Sequence, residues 1–241
     1  IKEKTDADQI DIFSHAWDFN TTPDIDNYQV ISPEEQSNYI DAIKPISYVF
    51  ENNKVNKNKG PQLIEYAKPR IAIFGQVESE LEKTASRFYS IMYSSHLKKM
   101  HEIKNKFRYD MCFKMQNDLY FDDHQLSLLV DDKNNNLKLP THNTIYTCYT
   151  QQDNQQFPFR KFSDIFWYAD SVTFDRFCNF YKWLPTIGAK SFIQNEDRPK
   201  SIEYSLYYYS KMMNMQIQPI TVNPKIYSVS ADRELYYHAT V

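Results

Sequence analysis

Glycine is scarce, with 3 residues in 241, at Gly60, Gly75 and Gly188. Phosphate loops of the P-loop and dinucleotide-binding kinds need several glycines close together, so this spacing excludes both. Cysteine is equally sparse: Cys112, Cys148 and Cys178 are odd in number, far apart and set among apolar residues. That pattern argues for buried thiols in a reducing, cytoplasmic setting and against a disulfide framework or a zinc cluster. Neither sign of charge dominates, since 28 Lys and Arg face 31 Asp and Glu for a net charge of -3. The chain therefore lacks the basic field that a nucleic-acid partner requires. No apolar run approaches the roughly 18 residues of a membrane span. There is no Gly-x-Ser-x-Gly elbow. The 6 histidines do not pair at metal-ligand spacing, and His96 and His101, five apart on a helix, do not share a face.

Aromatic residues are abundant instead, with 19 Tyr and 16 Phe, and the hydrophobic fraction of 41% suits a globular protein. The length fits one domain over residues 1–241, with 224–241 as a tail. Ile10 to Trp17 reads as a strand and Asp18 to Asp26 as a loop. Ser32-Pro33-Glu34-Glu35 carries a capping box, and its helix should stop before Pro45. Ile46 to Phe50 and Arg70 to Phe74 read as short strands. Leu81, Ala85, Phe88, Met92, Leu97, Met100 and Ile103 recur at helical intervals over Glu80 to Lys106. Strands follow at Tyr109–Met115, Thr144–Tyr149, Asp164–Ala169 and Gln216–Val222. Ser171 can cap a helix through Leu184, and Ser201 one over Ile202–Met213. Helices alternating with short strands define an α/β chain with a mostly parallel central sheet in three layers.

Phe107 to Asp123 draws the most attention. Tyr109, Met111, Phe113 and Met115 alternate with Asp110, Cys112, Lys114 and Gln116, so each set takes one face of a strand. Asn117 and Asp118 arrive where that strand should end. Ligands of open α/β sheets bind at strand carboxyl ends, and a carboxylate there can hold a divalent metal and, through it, phosphates. Polar groups collect at other strand ends too: His15 and Trp17 after the first, Asp170 after a later one. Glu203 sits in the first turn of a helix.

The order of these segments resembles a group of bacterial and viral glycosyltransferase-like proteins with a nucleotide-diphospho-sugar transferase (GT-A type) fold. The matching runs are Asp11 to Trp17, Tyr89-Ser90-Ile91, Lys114 to Phe121, and Glu203 to Tyr208; together they span about residues 10 to 220. The order carries the resemblance, not any single motif. Lys114 and Gln116 stand where the family has two arginines before its aspartate. Lysine keeps the charge without the bidentate fork; glutamine loses both.

The resemblance implies transfer of a sugar from a nucleotide-diphosphate donor to a glycan acceptor. Asp118 would hold Mn²⁺ or Mg²⁺ against the donor diphosphate. Lys114 and Arg87 would add positive charge, while His15, Trp17, Asn117 and Tyr168 would line the donor site. Glu203, or failing it Asp170, would act as general base toward the acceptor hydroxyl. Trp167 offers a further stacking face, and His238 a further ligand. Two other readings fit the same residues: a module of this fold that binds glycan or nucleotide without turnover, and a metal-dependent nuclease or phosphotransferase built on Asp118, Asp122 and Asp123.

Overall fold

The computed structural model describes residues 10–17, 19–21, 28–51, 78–115, 119–120, 138–148, 166–183, 202–220, 225–229 and 235–238. The segments 70–74, 116–118, 121–137, 184–201 and 239–241 lie outside them, and with them the expected strand at Arg70–Phe74 and the residues Asn117, Asp118, Asp122 and Asp123. The fold is mixed α/β, with both parallel and antiparallel strand pairs. The chain divides into two compact units, each assembled from separate stretches: one of Asp11–Phe107 and Cys178–Gln194, the other of Ile1–Ile10, Arg108–Phe177 and Asn195–Val241.

The unit of Asp11–Phe107 opens with β1 (Phe13–Trp17), then the antiparallel hairpin β2 (Phe19–Thr21) and β3 (Tyr28–Val30). β2 falls in the stretch Asp18 to Asp26 that the sequence presents as a loop, and β3 just after it. Helix α1 (Pro33–Ile43) begins as expected: Ser32 Oγ accepts from the Glu35 N–H, and Glu35 accepts from the Ser32 N–H. It ends at Lys44, which turns left-handed ahead of Pro45. Strand β4 (Ser47–Glu51) then returns parallel to β1, with Trp17 opposite Glu51. The long helix α2 (Glu78–Asn105) packs on β1. Phe88 is buried edge-on to Phe180, with ring centroids 4.6 Å apart.

The other unit is built on a four-stranded sheet, ordered β5 (Cys112–Lys114), β8 (Trp167–Ala169), β7 (Thr144–Cys148), β9 (Gln216–Ile220). β7 and β9 are parallel, and β8 runs against both β5 and β7. β5, β7 and β9 therefore share one direction and β8 alone is reversed, so this sheet is mixed where a mostly parallel one was expected. Helix α3 (Ser171–Cys178) follows β8, and helix α4 (Ile202–Met212) precedes β9. Trp167, Phe177, Leu206 and Tyr209 are fully buried, and the Trp167 ring meets Phe177 edge-on at 5.4 Å. A second sheet joins β6 (Leu119–Tyr120), β10 (Lys225–Val229) and β11 (Leu235–His238), all antiparallel; β10 and β11 fall in what the sequence presents as a tail.

Strand β5 turns its other face inward. Cys112 and Lys114 are buried, whereas Phe113 is only half-buried and Met115 is exposed. The inward position of Lys114 is stabilised by its ammonium lying 4.9 Å from the centre of the Trp167 ring, a cation–π contact. Tyr109 to Met111 precede the strand rather than belonging to it.

Candidate functional site

The direction of the strands decides which polar groups can meet. β5, β7 and β9 end at one edge of the four-stranded sheet, and β8 ends at the other. Lys114 is opposite Trp167, the first residue of β8, while Asp170 follows Ala169, the last. Three residues of extended chain, about 10 Å, separate the two positions. The antiparallel register therefore puts Lys114 at the edge where three strands terminate and Asp170 at the opposite one.

Asp170 is occupied there as a helix cap. Its Oδ1 accepts from the N–H groups of Val172, at 3.0 Å, and Thr173, at 3.1 Å. Its Oδ2 accepts a short bond from the Thr173 hydroxyl. These satisfy two of the donors that every helix start leaves open. The expected cap, Ser171, is instead the first helical residue. Burial pushes the Asp170 carboxyl up, but the bonds from Thr173, the nearby His142 and the Val172 N–H together hold it below the usual range. His142 Nδ1 lies 3.6 Å away on an exposed side chain. The surrounding groups are also engaged with one another. Asn143, at φ 62°, receives Arg176 on its Oδ1 at 2.9 Å, and its N–H donates to Thr173 Oγ. Arg176 reaches the Met213 carbonyl at 3.0 Å.

Those last contacts fix helix α4 as well. Its carboxyl end closes with Asn214 left-handed, the Met215 N–H on the Ser210 carbonyl and the Asn214 N–H on the Lys211 carbonyl. This is a Schellman turn, and it passes the chain directly to β9. The end of α4 thus meets Arg176 and Asn143 at the edge that holds Asp170. Glu203 belongs to the first turn, separated from Met213 by about 15 Å of helix. Tyr168 lies mid-strand, buried, and stacks on Tyr146 at 4.7 Å with the rings 9° apart. It belongs to an aromatic row with Phe113, 5.5 Å away.

In the unit of Asp11–Phe107, His15 forms the centre of a second polar group. Its side chain is fully buried, its Nδ1 is 2.9 Å from Ser90 Oγ, and its Nε2 is 3.9 Å from Glu51 Oε2. The Tyr89 hydroxyl donates to both oxygens of Glu51, at 3.0 and 3.2 Å. Tyr93 and Tyr89 lean on the imidazole at 5.1 and 5.4 Å. Burial holds the imidazole below its ordinary range, with Glu51 pulling the other way, so His15 is neutral near pH 7. Burial, and then the bond to Glu51, push the Tyr89 hydroxyl well up. Burial pushes Tyr181, 5.3 Å from Tyr89, up to about 12. Trp17 closes β1 beside Glu51 in the register, and Arg87 stands exposed on α2.

Glu51 and Tyr93 carry no sequence motif. Only the parallel pairing of β1 with β4, which the sequence does not state, brings Glu51 to His15. Among the described residues no three His, Cys, Asp or Glu side chains converge as a metal centre, and Asp118 lies outside those residues. No helix among them is long and apolar enough to cross a membrane. No protein-family model, no curated protein and no solved structure matches this chain.

Proposed function

We propose that the chain is a glycosyltransferase that moves a sugar from a nucleotide-diphosphate donor to a glycan acceptor, with a divalent metal as cofactor. The observation that supports this most is the shared direction of β5, β7 and β9. Their carboxyl ends form one edge, which is where open α/β sheets take ligands. Lys114 stands at that edge, and its strand leads directly into Gln116-Asn117-Asp118. In this proposal Lys114 and Asn117 serve the donor phosphates, and Asp118 is the residue offered to the metal.

The general base is assigned to Glu203 in preference to Asp170. Both oxygens of Asp170 are engaged in capping α3, and its carboxylate is held below the usual range, which weakens it as a base. A base for a sugar hydroxyl is better served by a pKa near the working pH. Tyr168 remains a donor-site assignment of the proposal; Arg87, His15 and Trp17 belong to the unit of Asp11–Phe107 and are not assigned to this edge. A catalytically silent module that binds nucleotide or glycan is the second reading. It is favoured by Gln116 in place of a charged residue and by the commitment of Asp170 to the cap.

Release of nucleoside diphosphate from a panel of sugar nucleotides, with glycan acceptors and Mn²⁺, tests the two readings. Glu203→Gln should lower turnover by about 10²- to 10⁴-fold, the usual contribution of a general base. Asp170→Asn, which can still cap a helix, should leave it within severalfold. Binding without release in the wild type would favour the silent module.

A further inference from the structure

We infer that the four-stranded sheet binds an uncharged sugar on the face turned away from α3, at a site built on Tyr146, Gln216 and Gln218. The assignment goes beyond the transferase reading, since it needs neither a nucleotide donor nor turnover. Registered partners share a face of a sheet, and successive residues alternate between faces. Lys114, Thr147 and Trp167 therefore share the face on which Trp167 meets Phe177 of α3. Phe113, Tyr168, Tyr146 and Gln218 cross the other face in one row, each registered with the next. Alternation adds Thr144 and Gln216 to it. No charged residue stands at a described strand position of this face.

The row leaves one ring face open. Tyr146 stacks on Tyr168 with centroids 4.7 Å apart and planes 9° apart. Neighbouring strands are also about 4.7–4.9 Å apart, so the two rings stand side by side off the sheet. β8 flanks β7 on one side and β9 on the other. One face of the Tyr146 ring is thus taken by Tyr168, and its other face turns toward β9. Among the described residues no ring covers that second face. The ring is held at its tip: the Thr141 N–H donates to the Tyr146 hydroxyl at 3.4 Å, and the Thr141 hydroxyl lies 3.0 Å from it. Gln218 is beside Tyr146 in the register, and Gln216 lies about 7 Å away along β9. Both glutamines are exposed and Tyr146 is half-buried. Gln218 Nε2 donates a long bond, 3.5 Å, to the carbonyl of the adjacent Pro219, which a ligand can replace at little cost.

This chemistry selects a sugar. A pyranose presents an apolar C–H face that packs on an aromatic ring and a rim of hydroxyls that both donate and accept. Two amides with donors and an acceptor each match that rim. A phosphate or an anionic lipid needs cations at the point of contact, and the strand positions of this face supply none. A purely apolar partner would strip water from two amides and give them no hydrogen bonds in return.

The test is saturation-transfer NMR of the full chain with cellohexaose, maltohexaose, chitohexaose and xylohexaose, followed by calorimetric titration of each one that binds. At least one should bind, with transfer strongest to ring C–H protons. Its Kd should stay the same from about 0.05 to about 0.5 M NaCl, because no charge takes part. Tyr146→Ala should weaken binding about tenfold, and Gln218→Ala about threefold. Gln218 is exposed, so its variant decides the matter even where Tyr146→Ala fails to fold. Absence of binding by all four saccharides overturns the site, as does binding that Gln218→Ala or a folded Tyr146→Ala leaves unchanged. Self-association that Gln218→Ala abolishes, with no saccharide bound, overturns it in favour of a second copy of this chain. None of these outcomes alters release of nucleoside diphosphate, so the sugar site and the transferase reading fail separately.

Discussion

Asp170 and His15 show how one side chain can be read as chemistry in a sequence and as architecture in a fold. Asp170 caps α3 with three hydrogen bonds, so Asp170→Ala should lower stability by about 0.5–2 kcal/mol in urea denaturation. Asp170→Asn should recover most of the loss; equal stability of all three would contradict the capping role. His15 has its proton affinity lowered by burial. The unfolded chain then binds a proton as pH drops below about 6.5, while the folded chain resists until lower pH. The contribution of His15 is thus complete above about pH 6.5 and is lost as pH falls toward the depressed folded value. Unfolding free energies at pH 7.5 and 5.5 should differ less in His15→Asn than in the wild type. Lys114 was legible as a site candidate but not as a buried residue. Alternation along Tyr109–Met115 assigns apolar side chains to one face; it does not say that the opposite face, with Cys112 and Lys114, packs on Trp167.

Helices were the most legible elements because their signals are local. The Ser32–Glu35 box, the 3.6-residue stripe of α2 and the stop at Pro45 all act within one or two turns. Their ends carry a consequence of the glycine shortage. Lys44, Lys106 and Asn214 take the left-handed conformation that glycine adopts freely, and of these only asparagine tolerates it well. Lys106 follows α2, where the Phe107 N–H bonds the Glu102 carbonyl across it at 3.2 Å. Lys106→Gly should therefore stabilise the chain by about 0.5–1 kcal/mol, since relief of the left-handed strain outweighs the added freedom of the unfolded state. A drop in stability would show that the lysine side chain contributes more than its backbone costs. Strands were less legible. β2 and β3 are three residues each, and β10 and β11 depend on pairing with each other and with β6, which no local pattern encodes.

At the scale of the molecule, alternating segments disclosed the α/β class but neither the strand directions nor the two units. Both units are discontinuous, and one border falls at Phe177–Cys178, at the end of α3, where no change in composition marks it. The direction of β8 is likewise set by its partners. That single reversal separates Asp170 from Lys114. The proposed activity rests on the edge formed by the carboxyl ends of β5, β7 and β9. Its most direct test is thermal unfolding of the full chain with UDP-, GDP-, CDP- and dTDP-sugars, with and without Mn²⁺. A donor present at 100 times its dissociation constant adds about 2.7 kcal/mol, which for a chain of this size raises the midpoint by about 5–10 °C. At least one sugar nucleotide should give such a rise, larger with Mn²⁺ and reduced in Asp118→Ala. No rise with any of them would contradict the glycosyltransferase proposal.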